Sequence, residues 1–230
     1  MIERGSCRGM NELPQGWAET TIGKVAESMK NGLYKPVTAY ADDGVACLRM
    51  YNIDEGKIVW KNIRRMKLSS DEIQDYQLLP GDLLVNRVNS RELVGKSAVI
   101  SADLETCVFE SKNIRLRFRS DLVCPALANY ALLLGGQRHF TSNAQQVVGM
   151  ASISQPQIAA FPLRLPPLNE QRRIVAKLEK LLSRVDAAQA RLATIPRILK
   201  RFRQSILSAA SSGQLTADWR KIQTHNPLRN

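Results

Sequence analysis

Three clusters of polar residues in this sequence have the side-chain types that read the edges of DNA bases. Arg can donate two hydrogen bonds to guanine, and Asn or Gln can form two hydrogen bonds with adenine. The clusters are residues 49–52, 86–91 and 143–146. Taken singly, each could be an ordinary polar loop. Because three occur together, we predict a base-reading surface whose DNA-binding residues are Arg49, Asn52, Asn86, Arg87, Asn89, Ser90, Arg91, Gln145 and Gln146.

A second set of basic residues is placed to hold phosphates. Lys112 and Asn113 begin a segment in which Arg115, Arg117 and Arg119 alternate with apolar residues. In a strand this alternation puts the three arginines on one face, and we predict that the face is exposed. Phosphate contacts position a protein on DNA without carrying sequence information. We therefore add Lys112 and Asn113 to the predicted DNA-binding residues.

The sequence lacks motifs that would let the chain cut or modify nucleic acid. It has no GxxxxGK[ST] phosphate loop, no glycine-rich cofactor fingerprint and no Asn/Asp-Pro-Pro-aromatic tetrad. Residues 55–57 resemble part of a nuclease motif, but they lie in a predicted hairpin turn. His139 and His225 have no Ser or Cys partner at a suggestive spacing, and the four cysteines lie far apart. We predict no catalytic residue, metal ligand or cofactor, which disfavours an enzyme acting alone.

Short strands and small helices are predicted to position these clusters, so residues 13–168 are expected to form a mixed α+β domain. Apolar spacing from Ile22 to Met29 predicts a helix that Thr20-Thr21 caps and Asn31-Gly32 ends. A second helix, 124–136, is predicted to end at Gly135-Gly136. The predicted strands are residues 45–50, 57–60, 82–88, 95–100, 106–110 and 113–120.

Local motifs predict the connections between these elements. Ser69 and Glu72 have the spacing of a capping box, which predicts a short helix through Tyr76. Pro80-Gly81 predicts a turn in which the glycine takes a positive φ. Asp54-Glu55-Gly56 predicts the turn of a hairpin.

Residues 169–212 are predicted to form one long coiled-coil helix, about 60 Å in length at ~1.5 Å per residue. Apolar residues recur there in steps of four and three, which is typical of a seam that faces a partner helix. Asn169 is the predicted N-cap and Gly213 the left-handed C-cap, and Pro196 predicts a kink or a break. Residues 1–12 are a lead-in and 213–230 a tail. The predicted dimerisation residues are Ile174, Leu178, Leu181, Val185, Leu192, Ile195, Leu199, Phe202 and Ile206.

Positive charge is concentrated at the C-terminal end of the chain. The formal net charge is +12, and residues 169–230 hold 13 Lys/Arg and 4 Asp/Glu, against 20 and 17 in residues 1–168. This concentration of positive charge predicts an anionic partner, either a polyanion or an acidic protein. A solvated helix face would show the same charge distribution. Since no apolar run of 18 residues and no signal core occur, we expect a cytoplasmic protein without a membrane partner.

Several segments resemble the specificity subunits of type I restriction–modification systems. PLRLPPLNEQRRIVAKLEKLL leads into the long helix, and SAASSGQLTADWR follows it. LPQGWAETTIGKVAE is similar to the start of a target recognition domain in that family, and GDLLVNR to a strand within it. The resemblance implies an α+β target recognition domain at residues 13–168, which reads half of a bipartite site on double-stranded DNA, followed by one long helix that spaces the halves.

The resemblance also implies partners and a departure from the family pattern. A methyltransferase subunit would bring S-adenosylmethionine, and a restriction subunit would bring ATP-driven, Mg-dependent cleavage. Typical members have two recognition domains and two helices, whereas this chain has one of each, so we expect a half-size subunit that forms a homodimer through an antiparallel coiled coil. Its target would then be palindromic. The alternative is a coiled-coil scaffold whose globular domain binds protein.

Two apolar residues lie beside the predicted seam. With Ile174 at position d, Val175 and Leu182 fall at position e and widen the apolar stripe beyond a two-helix seam. We predict that they dock the methyltransferase. On the other flank, the g positions Lys177, Arg184 and Arg191 are all basic and would repel their counterparts in an antiparallel pair unless the register separates them.

Overall fold

The computed structural model describes residues 13–141, 145–147 and 149–224 of the chain, so the predicted lead-in, residues 1–12, lies outside the described residues. The helices in this part of the chain are α1 (Ile22–Val25), α2 (Ser70–Tyr76), α3 (Pro125–Thr141), α4 (Gln155–Ala159), α5 (Leu168–Ser211) and α6 (Ala217–Thr224). The strands are β1 (Ala18–Thr21), β2 (Ala26–Asn31), β3 (Tyr40–Ala41), β4 (Val45–Leu48), β5 (Ile53–Asp54), β6 (Lys57–Ile58), β7 (Arg64–Met66), β8 (Leu83–Asn86), β9 (Val88–Asn89), β10 (Ser97–Val99), β11 (Cys107–Phe109), β12 (Asn113–Phe118), β13 (Gln145–Val147), β14 (Met150–Ser152) and β15 (Pro162–Leu165).

The chain divides into two compact units, Met1–Val175 and Ala176–Asn230. The first unit holds the strands and α1 to α4 together with the first two turns of α5. The second holds the remainder of α5 and α6. This arrangement of a mixed domain and a long helix confirms the predicted α+β class.

The centre of the first unit is a sheet in the order β10-β8-β12-β2, covered on both faces. Leu83 and Val85 of β8 contribute to one apolar cluster, and Leu84 between them contributes to another. Successive strand residues point to opposite faces, so a run of three buried apolar residues requires cover on each side. The first cluster includes residues of α1, α3 and β15, and the second includes residues of β4 and β11.

Two predicted helix boundaries are wrong. The helix expected from residue 22 to 31 is a single turn, α1, because residues 26–31 pair as β2 with β12. That pairing partner lies far along the chain and overrides the local apolar spacing. The helix expected to end at Gly135-Gly136 continues to Thr141. A Cβ on Gly136 would lie 3.3 Å from the Phe140 ring, so this glycine serves close packing within the helix instead of ending it.

The predicted exposed row of arginines on β12 is also wrong. Arg115 is buried and donates from Nη1 to the carbonyl oxygen of Gln77 at 2.8 Å. Arg117 donates from Nε to Oδ1 of buried Asp82 at 2.7 Å. Arg119 is exposed and pairs with Asp121 at 3.0 Å. The second apolar cluster covers this face of the sheet. Arg115 and Arg117 therefore make their hydrogen bonds within the protein.

The short-range motifs are confirmed. Ser69 and Glu72 form the reciprocal hydrogen bonds of a capping box at the start of α2. Gly81 takes a φ of +89° in the turn before β8, and the hairpin pairs β5 with β6. Each of these motifs is decided by a few adjacent residues, which explains why the sequence predicts it well.

The long helix α5 is unbroken from Leu168 to Ser211, and Pro196 lies inside it. The break expected at Pro196 is therefore absent, and Asn169 lies within the helix instead of capping it. Gly213 has a φ of +71°, which confirms the left-handed residue after the helix. Among the described helices, none combines the length and apolar character that a membrane span requires.

Candidate nucleic-acid interface

The loop clusters predicted to read bases are brought together on the first unit. Strand β9 (Val88–Asn89) belongs to the second cluster and pairs with β14, in the register Ala151 to Asn89. Strand β13 pairs with the other side of β14, in the register Gln145 to Ser152. The second and third clusters therefore share one small sheet. Asn143 of the third cluster lies outside the described residues, and the side chains of Gln145 and Gln146 are not described.

The first and second clusters meet at an open cavity of about 280 Å³. Tyr51 of the first cluster and Asn89 of the second both line it, and Leu93 and Lys96 complete one wall. Lys96 pairs with Asp54 of β5 at 2.7 Å, which ties the loop after β9 to the hairpin. A planar ligand the size of a base in this opening would lie beside the Tyr51 ring, the Asn89 side-chain amide and the Lys96 ammonium group.

A network of buried asparagines lies beneath the second cluster. Nδ2 of Asn86 donates to Oδ1 of Asn113 at 3.1 Å and to the carbonyl oxygen of Lys112 at 3.1 Å. Nδ2 of Asn89 donates to Oδ1 of Asn86 at 2.9 Å, and Nδ2 of Asn113 donates to the carbonyl oxygen of Leu48 at 3.4 Å. Buried amides with these partners fix the ends of β4, β8 and β12 relative to one another.

The first cluster has its own buried amide. Oδ1 of Asn52 accepts the backbone N–H of Arg49 at 3.0 Å, and its Nδ2 donates to the carbonyl oxygens of Val59 and Lys61 at 3.1 and 2.9 Å. The backbone N–H of Met50 donates to Oε1 of Glu110 at 2.9 Å. These bonds hold the helical turn after β4 against the hairpin.

Burial divides the predicted DNA-binding residues into two groups. Four asparagines are buried with their amides engaged inside the protein: Asn52, Asn86, Asn89 and Asn113. Arg91 is exposed, and four more residues are partly exposed: Arg49, Arg87, Ser90 and Lys112. Among the predicted residues whose side chains the structure describes, the solvent-accessible ones are those of this second group. The asparagines position the loops that carry it.

Two of the partly exposed arginines have unused hydrogen-bonding capacity. Among the described residues, Nε of Arg49 and Nε of Arg87 are buried without a partner. Nη2 of Arg49 donates to the carbonyl oxygen of Asn62 at 3.1 Å, and its guanidinium lies 5.6 Å from the centre of the Tyr51 ring. Unpaired buried donors are costly. An acceptor that reaches these guanidinium groups would remove the cost.

Tyr51 belongs to the candidate site and was not among the residues predicted from the sequence. Its side chain is 67% exposed and its ring contacts the Arg49 guanidinium. An exposed aromatic ring offers a face on which a base or a deoxyribose can pack. Its position two residues after Arg49, just beyond the end of a buried strand, was the signal that could have found it.

The scaffold under the loops is chemically inert. Burial raises the pKa of the Cys47 thiol to about 12, and burial raises that of Cys107 to about 11. Thiols protonated at neutral pH are poor nucleophiles and poor metal ligands. His139 packs edge-on against Phe140 and Phe161, with ring centres 5.3 Å apart in each case; His225 lies outside the described residues. Across the part of the chain that the structure describes, no group of three His, Cys, Asp or Glu side chains could hold a metal ion.

The predicted pairing residues of α5 are mostly uncovered. Ile174 and Leu178 are partly buried, and the others predicted from Leu181 to Ile206 are exposed, Leu192 and Phe202 each by 62%. Leu182, a predicted docking residue, is 43% exposed. Val175 is only 8% exposed within the first unit. Because its side chain is already covered, the docking role predicted for Val175 is not available in this structure.

Comparison with known proteins identifies the family to which these features are related. The sequence pattern of the type I restriction modification DNA specificity domain matches residues 14–197. The chain is 57% identical over 223 residues to the type I restriction enzyme EcoBI specificity subunit of Escherichia coli, which covers 95% of this chain and 43% of that protein. It is 30% identical over 207 residues to the StySPI specificity subunit of Salmonella potsdam, covering 89% and 44%.

Solved structures share the fold. A structure from work on complex assembly and conformational transition of the type I R-M system aligns with a TM-score of 0.66 at 24% identity, over 86% of this chain and 46% of that one. The HsdS subunit from Thermoanaerobacter tengcongensis aligns with a TM-score of 0.58 at 23% identity, over 86% and 45%. The chain thus spans about half the length of the relatives that it matches.

Proposed function

Because the chain belongs to the family of type I restriction modification DNA specificity domains, we propose that its first unit reads one half of a bipartite DNA target. The observation that carries the proposal is that the first and second polar clusters meet at one opening above a buried amide network, while the third cluster shares a small sheet with the second. Such an arrangement holds exposed side chains rigidly, which sequence-specific hydrogen bonding to base edges requires. The chain recognises DNA and leaves the chemistry to its partners.

The contacts are divided between bases and phosphates. The partly exposed Arg49 and Arg87 guanidinium groups are suited to acceptors on guanine. Tyr51 packs against the sugar or base next to them, while Arg91 and Lys112 hold phosphates. Asn52, Asn86, Asn89 and Asn113 act from below by fixing the loops.

Two copies of the chain pair through α5, which places two recognition units on one duplex. An apolar stripe exposed over several helical turns requires a partner, and a closed two-fold pair is the simplest arrangement that covers it. The helix has 44 residues, so its length is about 66 Å at ~1.5 Å per residue. At ~3.4 Å per base pair, that length sets an upper limit of about 19 base pairs on the spacing.

The catalytic subunits dock on the paired helices. Leu182 extends the apolar stripe on the e side and contacts a methyltransferase subunit, which supplies S-adenosylmethionine. A restriction subunit, with ATP and Mg, joins that assembly for cleavage. A single stripe thus serves two kinds of contact, with the seam for the second copy and its e-side border for the methyltransferase.

Light scattering of the purified chain, alone and with its methyltransferase, tests the proposal. The expected mass of the chain alone is twice 25.7 kDa, and the complex should contain two copies of the chain. A stable single copy at micromolar concentration would contradict the pairing.

Binding to duplex DNA at increasing salt separates DNA recognition from the scaffold alternative. Counterion release makes phosphate-dependent binding fall steeply with salt. We expect such a fall for the chain with its methyltransferase. A chain that captures protein partners but binds no duplex at low salt would support the scaffold instead.

A further inference from the structure

The apolar seam of α5 is complementary to itself when a second helix runs antiparallel, and a centre near residue 190 gives the largest outer layers, because a centre half a heptad further along replaces the Ile174–Ile206 layer with Leu178–Ala209. If a second α5 runs antiparallel and the two are centred near residue 190, each seam residue meets another seam residue. The layers pair Ile174 with Ile206, Leu178 with Phe202, Leu181 with Leu199, Val185 with Ile195, and Ala188 with Leu192. Every seam residue between 174 and 206 is used, and each layer occurs twice, once on either side of the centre.

From Leu181 to Ile206, the exposure of the seam shows that no described part of the single chain covers it. Leu181, Val185 and Ile195 are each exposed by between 44% and 51%, and Leu199 by 59%. A helix whose stripe meets an identical stripe in matched layers buries these side chains without any other sequence being required. The occupant that this pattern fits is therefore a second copy of the chain.

The charged flank is compatible with the same centre and gives it one distinguishing contact. In an antiparallel pair the g positions of the two helices lie side by side. In this register Lys177 lies beside Ser205 of the second copy, and Arg184 lies beside Ile198 of the second copy. Neither cation meets another. Only Arg191 meets its own counterpart, because it lies next to the centre.

We propose that a second copy occupies the seam in an antiparallel register centred near residue 190, with the two Arg191 side chains adjacent at the two-fold axis. This inference rests on the proposed pairing of two copies and adds its register. It makes Arg191 the position at which one like-charge contact weakens self-pairing. A copy with an acidic residue at 191 is then a better partner for the native chain than the native chain itself.

Mixing experiments with Arg191→Glu test the register. Native and variant chains carrying different tags are combined in equal amounts, equilibrated and counted by native mass spectrometry. Random pairing gives half mixed pairs. Opposite charges at exposed positions are worth enough to raise the ratio of mixed to like pairs about two- to fivefold above random. Arg197→Glu is the matched control, since position 197 faces away from the seam and its mixture should stay random.

Cross-linking of single cysteines provides a second readout. In a background with Cys7→Ser and Cys124→Ser, copies with Gln189→Cys should be joined by a short bis-maleimide, because residue 189 lies at the centre. Copies with Leu178→Cys should not be joined, because two residues 178 lie at opposite ends of an antiparallel pair. Joining at position 178 would show a parallel pair and overturn the inference.

The outcomes separate the register from the pairing itself. Random mixing of Arg191→Glu in a chain that still forms pairs overturns the register and leaves the proposed function standing. Loss of all pairing in the native chain overturns both. Enrichment of mixed pairs together with joining at position 189 alone supports the register.

Discussion

The side-chain oxygen of Gln171 accepts the backbone N–H of Cys124 at 2.8 Å, which ties the first turn of α5 to the segment before α3. The Nε2 of the same amide donates to the carbonyl oxygens of Leu122 and Pro166 at 2.8 and 2.9 Å. Gln171 is 1% exposed. One side chain thus satisfies three backbone groups and fixes the start of the long helix within the first unit.

Gln171→Ala is expected to destabilise the first unit by roughly 2–4 kcal/mol, because it leaves three backbone groups without their partner in a buried place. Gln171→Glu should also destabilise, since a carboxylate can accept from Cys124 but cannot donate to the two carbonyl oxygens. Urea unfolding followed by tryptophan fluorescence measures both. Gln204→Ala, at an exposed position of the same helix, is the control. An unchanged midpoint for Gln171→Ala would show that the amide does not fix the helix.

Asn113→Ala is expected to lower the free energy of unfolding by about 1–3 kcal/mol, because the Asn86 amide loses an acceptor and the Leu48 carbonyl loses a donor. The substitution should also loosen the loops that carry the predicted DNA-binding residues. We therefore expect specific DNA binding to fall more than non-specific DNA binding. Thermal unfolding and paired binding assays with cognate and unrelated duplexes measure the two effects. A variant of native stability that loses specific binding would instead place Asn113 in direct contact with a base.

Tyr51→Ala and Arg91→Ala are expected to weaken DNA binding at native stability, because both side chains are exposed. Arg91→Ala should also reduce the slope of log affinity against log salt by about one, as expected for the loss of one phosphate contact. Tyr51→Ala should leave that slope unchanged while lowering the affinity for the cognate site. Fluorescence anisotropy over a range of salt concentrations measures both. Tyr34→Ala is the control for Tyr51, because Tyr34 is also exposed, by 85%, and does not line the cavity.

Leu182→Gln is expected to reduce co-purification with the methyltransferase severalfold and to leave the mass of the pair unchanged. The side chain is exposed and lies beside the seam, so a polar replacement costs little in the isolated chain. Val175→Gln should differ: because Val175 is buried, it should lower stability as well. Pull-down with tagged methyltransferase, together with light scattering, separates the two. Undiminished capture by Leu182→Gln would exclude this docking surface.

The sequence predicts best those features that depend on adjacent residues or on a long repeat. The capping box at Ser69, the turn at Gly81 and the long helix α5 are of this kind. It fails where distant segments decide the outcome. Residues 26–31 become a strand because β12 lies beside them, and Arg115 is buried and Arg117 half-buried because a second apolar cluster covers their face.

The candidate site shows the same division. Residue type alone grouped Asn86, Asn113 and Arg91 as DNA-binding, although the first two are buried supports and the third is exposed. Amides that read bases and amides that hold loops have the same sequence signature. Only the hydrogen-bond partners distinguish them. Val175 is likewise buried by tertiary packing, which the heptad repeat of the sequence does not reveal.

Sequencing of the methylated bases in a cell that carries this chain and its methyltransferase tests the central claim most directly. Two identical recognition units related by a two-fold axis predict a palindromic target, made of two short half-sites separated by a spacer of unread bases. An asymmetric or contiguous methylated motif would contradict the account, because identical paired units cannot read two different half-sites.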